Sequence, residues 1–210
     1  LRLKLIGAFL VAVLAAGALE QLAGAVVADG VHEPSVSYLP LIPNPDKTIC
    51  VGVNYRPHAE EMGRTPPEHP LLFVRFPGSQ VGHRQPLVRP SASDAYDYEG
   101  ELAVVIGRTC RNVSETEALE YVLGYTAAND VSARDWQKEW GGGQFCRGKG
   151  FDTFCPLGPC LVTRDDIPDP GQLAIRGYLN GDLMQESSTA DLIFSIPRLI
   201  AFISGSTTLP

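Results

Sequence analysis

The chain has 210 residues, of which 44% are hydrophobic and 20% charged, and its formal net charge at pH 7 is −7. This composition is typical of a globular protein and excludes a disordered or fibrous one. The acidic balance repels phosphate backbones and anionic lipids, so we expect no nucleic-acid or membrane partner. The 21 Gly and 17 Pro favour many turns and therefore a strand-rich fold.

The first predicted element is an Ala-rich helix over residues 8–27. Its apolar run follows two basic residues and imitates a signal peptide, but Glu20 interrupts the run, which is too broken for a membrane span. A Pro-rich segment at residues 40–45 follows. We therefore predict a small helical appendage with its linker over residues 1–45 and a main domain over residues 46–210.

The main domain is predicted to consist mostly of strands. Short apolar runs predict strands over residues 48–53, 71–76, 98–106, 125–128, 155–162 and 173–179. Helices are predicted at 114–123, where Ser114 and Glu117 have the capping-box spacing, and at 196–204. Asn180-Gly181 predicts a type I′ hairpin. The polar residues 55–69 predict either a short helix or a mobile loop.

The five cysteines show no pair with the spacing of a zinc site, and their number is odd. We interpret them as reduced thiols, which indicates a reducing compartment. The expected location is the cytoplasm, or the mitochondrion if the source is eukaryotic. The five are Cys50, Cys110, Cys146, Cys155 and Cys160.

The first candidate for a catalytic or metal site is an acidic pair at the start of the strand over residues 98–106. Glu99 and Glu101 are two residues apart, so on a strand their side chains share a face. Beyond Glu101 both faces turn apolar, which indicates an interior strand. Two carboxylates there repel each other and lose solvation, and a bound cation would relieve both costs. From spacing alone, a solvated acidic face is the alternative.

The second candidate is Asp130, which follows the strand predicted over residues 125–128. Loops at strand ends gather functional groups. A third carboxylate would complete an all-oxygen site, which selects Mg²⁺, Mn²⁺ or Ca²⁺ over Zn²⁺ or Cu²⁺. The alternative is that Asp130 or Asp135 simply pairs with Arg134.

The third candidate is a histidine with a carboxylate one helical turn away. His58 and Glu61 are three residues apart, so a helix would bring them together. A carboxylate beside an imidazole raises its basicity and fixes its tautomer, which makes a general-base dyad. Because this spacing is common by chance, a surface pair is the alternative.

Four motifs, taken in order, resemble the fumarylacetoacetate hydrolase family, and the similarity is greatest to its short domain-containing members of the acylpyruvase and oxaloacetate type. The resemblance covers about residues 38–209 and is far more specific than any single motif. It favours the functional interpretation of the three candidates above. The motifs are Gly52-Val53-Asn54-Tyr55 with His58 and Glu61, Glu99-x-Glu101-Leu102, Asn129 to Asp135 with Gln137, and Gly148 to Pro159.

The resemblance implies a strand-rich α+β fold, a mixed β-roll. It implies a divalent ion, Mg²⁺ or Mn²⁺ with Ca²⁺ as the alternative, held by Glu99, Glu101 and Asp130. It implies a dyad of His58 and Glu61 on a lid that orders over the substrate. A homodimer is the expected assembly.

The resemblance also implies that Lys149 lies near the substrate oxygens. It implies a substrate contact from Gln137 as well. We predict further substrate contacts from Arg75 and Tyr55. One departure lies beside the lysine, since Gly150 stands where the family usually has Ser, and this would loosen the loop that holds Lys149.

A second departure concerns the end of the chain. The family continues beyond Pro210 into a Gly-Asp strand and a Thr-Gly-Thr-Pro turn that closes the substrate pocket. We therefore expect the main domain to be incomplete at its C-terminus and the 210-residue chain to lack full activity.

The predicted function is divalent-metal-dependent hydrolysis of a carbon–carbon bond in a small oxo acid, such as an acylpyruvate or fumarylacetoacetate. An oxaloacetate-type decarboxylase and a keto–enol tautomerase or isomerase are the alternatives, because the same metal and base would serve all three. A catalytically inactive metal-binding homologue is an alternative of another class.

Overall fold

The structure is a computed structural model that describes residues 8–13, for their backbone only, together with residues 37–63 and 65–210. The strands within these ranges are β1 (Ala8–Val13), β2 (Lys47–Gly52), β3 (Leu71–Arg75), β4 (Gln80–Val81), β5 (Tyr96–Asp97), β6 (Gly100–Ile106), β7 (Val122–Asn129), β8 (Ser132–Ala133), β9 (Cys155–Pro156), β10 (Val162–Thr163), β11 (Ala174–Leu179) and β12 (Asp182–Ser188). The α-helices are α1 (Arg56–Glu61), α2 (Cys146–Lys149) and α3 (Ile196–Ser206). A π-helical turn spans Trp136–Trp140.

Six strands form the main sheet, in the order β10-β7-β6-β1-β2-β3. All neighbours in this sheet are antiparallel except β1 and β6, which are parallel. Two-stranded ladders join β11 with β12, β4 with β9, and β5 with β8. This strand-rich α+β architecture confirms the predicted class.

Both faces of the main sheet are covered, as predicted for an interior strand. On β6, Leu102, Val104 and Ile106 pack in one cluster, which also contains the apolar side of α3. Ala103 and Val105 point the other way and pack with a second cluster. Because alternate residues of one strand fill two cores, β6 is held rigidly, and the groups at its first residues are held with it.

The predicted helix over residues 8–27 is wrong for residues 8–13, which form strand β1, and its remainder lies outside the described residues. Strand β1 hydrogen-bonds to β2 on one side and to β6 on the other. Local helix propensity is a weak preference, and two backbone ladders override it. Residues 8–13 therefore belong to the sheet of the main domain and not to a helical appendage, while the boundary at residue 45 stays a prediction.

Most of the other predicted elements are confirmed. Strands β2, β3, β7 and β11 and helix α3 lie at the predicted places, and β6 begins at Gly100, two residues later than expected. The hairpin is confirmed, since Leu179 pairs with Asp182 across Asn180 and Gly181, whose φ angles are 54° and 93°. A type I′ turn requires positive φ at both positions.

Two predictions were wrong in extent. The helix over residues 114–123 is reduced to a 3₁₀ turn at Ala118–Tyr121, although Ser114 does contact Glu117 at 2.6 Å. The carbonyl of Tyr121 accepts the Gly107 N–H at 2.8 Å, so the chain has already turned toward the sheet. The strand over residues 155–162 is split into β9 and β10 because the intervening Pro159 has no N–H to continue a ladder.

No helix among residues 37–63 and 65–210 has the length and apolar character needed to span a bilayer. All five cysteines carry free thiols.

Candidate active site

The ends of β6 and β7 bring two acidic residues side by side. Gly100 pairs with Asn129, and this is the last pair of the ladder. Just beyond it, the Asp130 N–H donates to the Glu99 carbonyl at 2.8 Å, and the Glu99 N–H donates to Asn129 Oδ1 at 2.9 Å. Glu99 and Asp130 therefore leave the sheet together, with orientations set by main-chain hydrogen bonds.

The three predicted carboxylates are all buried: Glu99 is 0% exposed, Glu101 3% and Asp130 2%. A solvated acidic face, the alternative from spacing alone, is excluded. Buried carboxylates require cations or donors nearby, because desolvation otherwise costs several kcal/mol for each charge.

Lys149 supplies one of these cations. Its Nζ donates to Glu99 Oε2 at 3.0 Å, to Asp130 Oδ2 at 2.9 Å and to Ser132 Oγ at 2.7 Å. Three acceptors use all three protons of an ammonium group. The side chain is only 2% exposed, so these contacts are made in a region of low dielectric, where they are strong.

Arg75 lies on the other side of Asp130 and is also fully buried. Its Nη2 donates to Asp130 Oδ1 and, at 2.9 Å, to the Val131 carbonyl, while its Nη1 donates to the Lys149 carbonyl. Burial alone would raise the pKa of Asp130, but the charges of Arg75 and Lys149 outweigh it and hold that pKa below its usual value. Burial acts to lower the pKa of Arg75, but the charge of Asp130, the nearby Cys155 and Cys50 and the hydrogen bond to Asp130 together raise it.

Arg134 is the counter-ion of Glu99. Its Nη1 donates to Glu99 Oε1 and, at 2.8 Å, to Gln137 Oε1, and its Nε donates to Asp97 Oδ2 at 2.9 Å. The suggested pairing of Arg134 with Asp130 or Asp135 is therefore wrong. The acidic cluster consists of Glu99, Asp130, Ser132 and Asp97, together with the cations Lys149, Arg75 and Arg134. Gln137 lies next to this cluster, and its carbonyl oxygen accepts from Arg134.

Asp135 lies beside the acidic cluster and stabilises the π-helical turn that follows it. Its carboxylate accepts from Ser93 Oγ at 2.8 Å and from the Trp136 N–H at 2.8 Å, which caps the π-helical turn. Burial acts to raise the pKa of Asp135, but these hydrogen bonds and one from the Asp94 N–H lower it further than burial raises it.

His58 and Tyr55 lie on or beside helix α1. His58 is 3% exposed and Tyr55 4%, and the His58 Nδ1 lies 3.9 Å from Glu61 Oε2. The predicted proximity of His58 and Glu61 is confirmed, but 3.9 Å is too long for a hydrogen bond. Glu61 is 39% exposed whereas His58 is buried, so only the carboxylate of this pair reaches the surface.

The segment just before α1 is hydrogen-bonded to Phe194, which lies 140 residues later in the chain. Asn54 donates through Nδ2 to the Phe194 carbonyl at 3.0 Å and accepts from the Phe194 N–H at 2.8 Å. Burial raises the pKa of the Tyr55 hydroxyl, and the negative charges of Glu101 and Asp191 raise it further.

The metal that the resemblance implies can be tested against these groups. Among residues 37–63 and 65–210, no three His, Cys, Asp or Glu side chains are arranged as ligands of one metal ion. The donor chemistry nevertheless fits a hard divalent cation, because the three buried acids offer only oxygen. A cation, the Lys149 ammonium, already lies between two of them. The metal assignment of Glu99, Glu101 and Asp130 stays a prediction.

Sequence reasoning gave Ser132 and Asp97 no role and considered Arg134 only as a partner of Asp130 or Asp135. Ser132 and Arg134 both lie in the quoted motif after Asp130. An alternation of small polar and charged residues directly after a strand was the available signal. A cavity of about 600 Å³ lies beside the cluster and is lined by Tyr98, Gly100, Asn129, Val131 and neighbouring residues of the β11–β12 hairpin.

Comparison with known proteins places this site in context. The family described as Fumarylacetoacetate (FAA) hydrolase C-terminal matches residues 47–210, which contain all the residues of the cluster. A relative from Xenopus laevis, oxaloacetate tautomerase fahd2, mitochondrial, is 48% identical over 175 residues, which are 83% of this chain and 55% of the relative. The chain thus spans about half the length of that relative.

Two solved structures from mycobacteria have a similar fold. The 5-carboxymethyl-2-hydroxymuconate delta-isomerase of Mycobacterium smegmatis is 44% identical with a TM-score of 0.72, over 82% of this chain and 66% of that one. The 2-hydroxyhepta-2,4-diene-1,7-dioate isomerase of Mycobacterium marinum is 38% identical with a TM-score of 0.76, over 88% and 67%. These similarities confirm the predicted fold type.

Proposed function

We propose that this chain, which belongs to the fumarylacetoacetate hydrolase family, forms the active site of a keto–enol tautomerase for a small dicarboxylic oxo acid such as oxaloacetate. The observation that carries the proposal is the buried Lys149 ammonium held between Glu99 and Asp130. The name of the Xenopus relative and the isomerase names of the two mycobacterial structures support the same type of reaction.

Tautomerisation moves one proton and one electron pair. A base removes a proton from the carbon next to the ketone, the electron pair moves to the ketone oxygen, and a proton is delivered to that oxygen. The reverse sequence restores the ketone, so no other reactant is consumed. The reaction needs a proton acceptor and a positive group near the oxygen on which charge develops.

The chain's own residues can fill these two roles. His58 is the candidate proton acceptor, because it is a buried imidazole on helix α1. Lys149 places a positive charge in a low-dielectric site. Because Glu99, Asp130 and Ser132 accept all three of its protons, it would act on a developing oxyanion through its charge and not through a free N–H. A Mg²⁺ or Mn²⁺ ion held by Glu99, Glu101 and Asp130 would add Lewis-acid polarisation of the substrate carbonyl.

The names of the Xenopus relative and of the two mycobacterial structures favour tautomerisation or isomerisation over hydrolysis. Carbon–carbon hydrolysis and decarboxylation stay predictions from the sequence, as do the homodimer and the cellular location, for which the mitochondrial name of the Xenopus relative favours the mitochondrion.

The test is the rate at which the enol form of oxaloacetate equilibrates with the ketone, followed by enol absorbance with protein stripped by EDTA and then supplied with Mg²⁺ or Mn²⁺. We expect accelerated equilibration with no pyruvate formed from oxaloacetate and no cleavage of an acylpyruvate. His58→Gln should lose the acceleration, and the exposed-site variant Lys138→Met should keep it. Pyruvate release faster than equilibration, or no acceleration, would overturn the proposal.

A further inference from the structure

Arg75 occupies an unusual place for a residue expected to contact the substrate. It is the last residue of edge strand β3, paired with Thr48 of β2, and its side chain is 0% exposed. Both terminal nitrogens donate to protein acceptors, namely the Asp130 carboxylate and the carbonyls of Val131 and Lys149. Its two Nη groups thus point at the protein itself and not at an open pocket.

These contacts join two parts of the site that belong to different elements and meet only in the folded protein. Asp130 follows strand β7, whereas Lys149 ends the short helix α2. Arg75 holds the side chain of the first and the main-chain carbonyl of the second with one planar group. A guanidinium is rigid and its donors have fixed directions, so it sets the spacing between the groups it binds.

The Lys149 side chain binds the same aspartate that Arg75 binds. Its Nζ lies 2.9 Å from Asp130 Oδ2, while Arg75 binds the other carboxylate oxygen. Asp130 is thereby fixed from both sides, and Lys149 is fixed at its carbonyl and at its ammonium. If the guanidinium were lost, the carbonyl of Lys149 and one oxygen of Asp130 would lose their partner. The ammonium would keep Glu99 and Ser132, but its third acceptor, Asp130, would be free to shift.

We infer that Arg75 is a positioning residue that controls the reaction rate through Lys149 and Asp130 without touching the substrate. This inference rests on the proposed tautomerase function. It replaces a direct substrate contact of Arg75 with an indirect role, and the two roles differ in their kinetic signature. A positioning residue acts on kcat, whereas a residue that binds substrate equally in the ground and transition states acts on KM.

The test compares Arg75→Met and Arg75→Lys with the wild-type protein. Arg75→Met should lower kcat by about 10²-fold, the cost of a small misplacement of catalytic groups, with KM changed by less than about threefold. Arg75→Lys should recover part of this loss, because it keeps the charge beside Asp130 but cannot reach both carbonyls in fixed geometry. Arg89→Met, which removes an exposed arginine that pairs with Asp94, is the matched control and should change neither constant.

Hydrogen exchange supplies a second readout that does not depend on turnover. Both Arg75 variants should exchange faster than the wild type in a peptide covering residues 146–151, because the Lys149 carbonyl has lost its tether. A rise in KM at unchanged kcat would show a direct substrate contact and overturn the inference. Wild-type kcat in a folded Arg75→Lys variant with unchanged exchange would overturn it too.

The outcomes also separate this inference from the proposed function. If the wild-type protein shows no tautomerase activity, the proposed function fails, and the exchange comparison alone decides whether Arg75 holds Lys149. If Arg75→Met does not fold, Arg75→Lys decides, because it keeps a positive charge beside Asp130 in addition to that of Lys149. A melting curve for each variant establishes which case applies.

Discussion

The Nζ atom of Lys149 lies 2.9 Å from Oδ2 of Asp130 in a part of the protein where both side chains are only 2% exposed. The same ammonium lies 3.0 Å from Glu99 Oε2. Lys149 is therefore the shared counter-ion of two buried acids that come from different strand ends. Removing this ammonium therefore changes the stability of the protein as well as its chemistry.

Lys149→Met should destabilise the metal-free protein by about 3 kcal/mol, the low end of the usual cost of breaking a buried ion pair. The low end applies because Arg134 still neutralises Glu99 and Arg75 still neutralises Asp130. Urea unfolding in EDTA measures the change. Lys138→Met removes an exposed lysine from the neighbouring turn and should have no measurable effect. Equal midpoints for Lys149→Met and wild type would show that Lys149 does not neutralise the pair.

Glu101→Gln should weaken metal binding more than it weakens folding. Loss of a ligand should raise the Kd for Mn²⁺ by at least about tenfold. The free energy of unfolding without metal should fall little or even rise, because one charge leaves a set of three buried carboxylates. Calorimetric titration with Mn²⁺ and urea unfolding measure the two effects. Glu186→Gln removes an exposed acid paired with Arg176 and is the control. An unchanged Kd would remove Glu101 from the predicted ligands.

His58→Gln should reduce kcat by about 10²–10⁴-fold, the usual contribution of a general base. Glu61→Gln should have a smaller effect, because its carboxylate lies 3.9 Å from Nδ1 and is partly exposed. Steady-state kinetics on the enol of oxaloacetate measure both. A loss in Glu61→Gln as large as in His58→Gln would mean that the pair closes to a hydrogen bond when substrate binds.

Gly150→Ser should destabilise the turn after α2. The expectation that glycine loosens this loop would instead make serine stabilising. A Cβ at Gly150 would lie 2.6 Å from the Cys146 carbonyl, which accepts the Gly150 N–H at 2.8 Å. Because the close atom is backbone, the main chain beside Lys149 must move. We expect a loss of about 1 kcal/mol in unfolding free energy, together with lower kcat. Gly205→Ser is the control, since nothing lies within 4 Å of its Cβ position.

Ser93→Ala should destabilise the protein at neutral pH by about 1.5–3 kcal/mol, the usual value for a hydrogen bond to a charged group. The Ser93 hydroxyl binds both oxygens of Asp135, whose pKa is lowered in the folded state. A group with a lowered folded pKa stabilises the protein above its ordinary pKa, and this stability is lost as the pH falls through the folded value.

The difference between wild type and Ser93→Ala should therefore be full at pH 7 and shrink below about pH 4, the ordinary range for Asp. Urea midpoints measured from pH 7 to pH 3 give this curve. Ser91→Ala changes an exposed serine of the same loop and should show no such dependence. A difference that stays constant down to pH 3 would mean that Ser93 acts only through packing.

Local sequence patterns determined much of the sheet and the identity of its acidic residues. The apolar run after Glu101 predicted an interior strand, and β6 is covered on both faces. Asn180-Gly181 predicted the hairpin, because only certain residues accept two positive φ angles in succession. Glu99, Glu101 and Asp130 were recognised as candidates from their places at strand ends, and all three are buried. These features depend on neighbours within a few residues, which a sequence displays directly.

Only the tertiary structure decided which residues form ion pairs and which segments pair as strands. Nothing local indicates that Asp130 pairs with Arg75, which is 55 residues away, or that Glu99 pairs with Lys149, 50 residues away. Nor does an Ala-rich segment indicate that residues 8–13 enter the sheet as β1. Such pairings depend on strand order and register, which place distant residues together. They are selected because a buried charge without a partner and an incomplete backbone ladder both cost free energy in the folded protein, and neither cost can be evaluated along the chain.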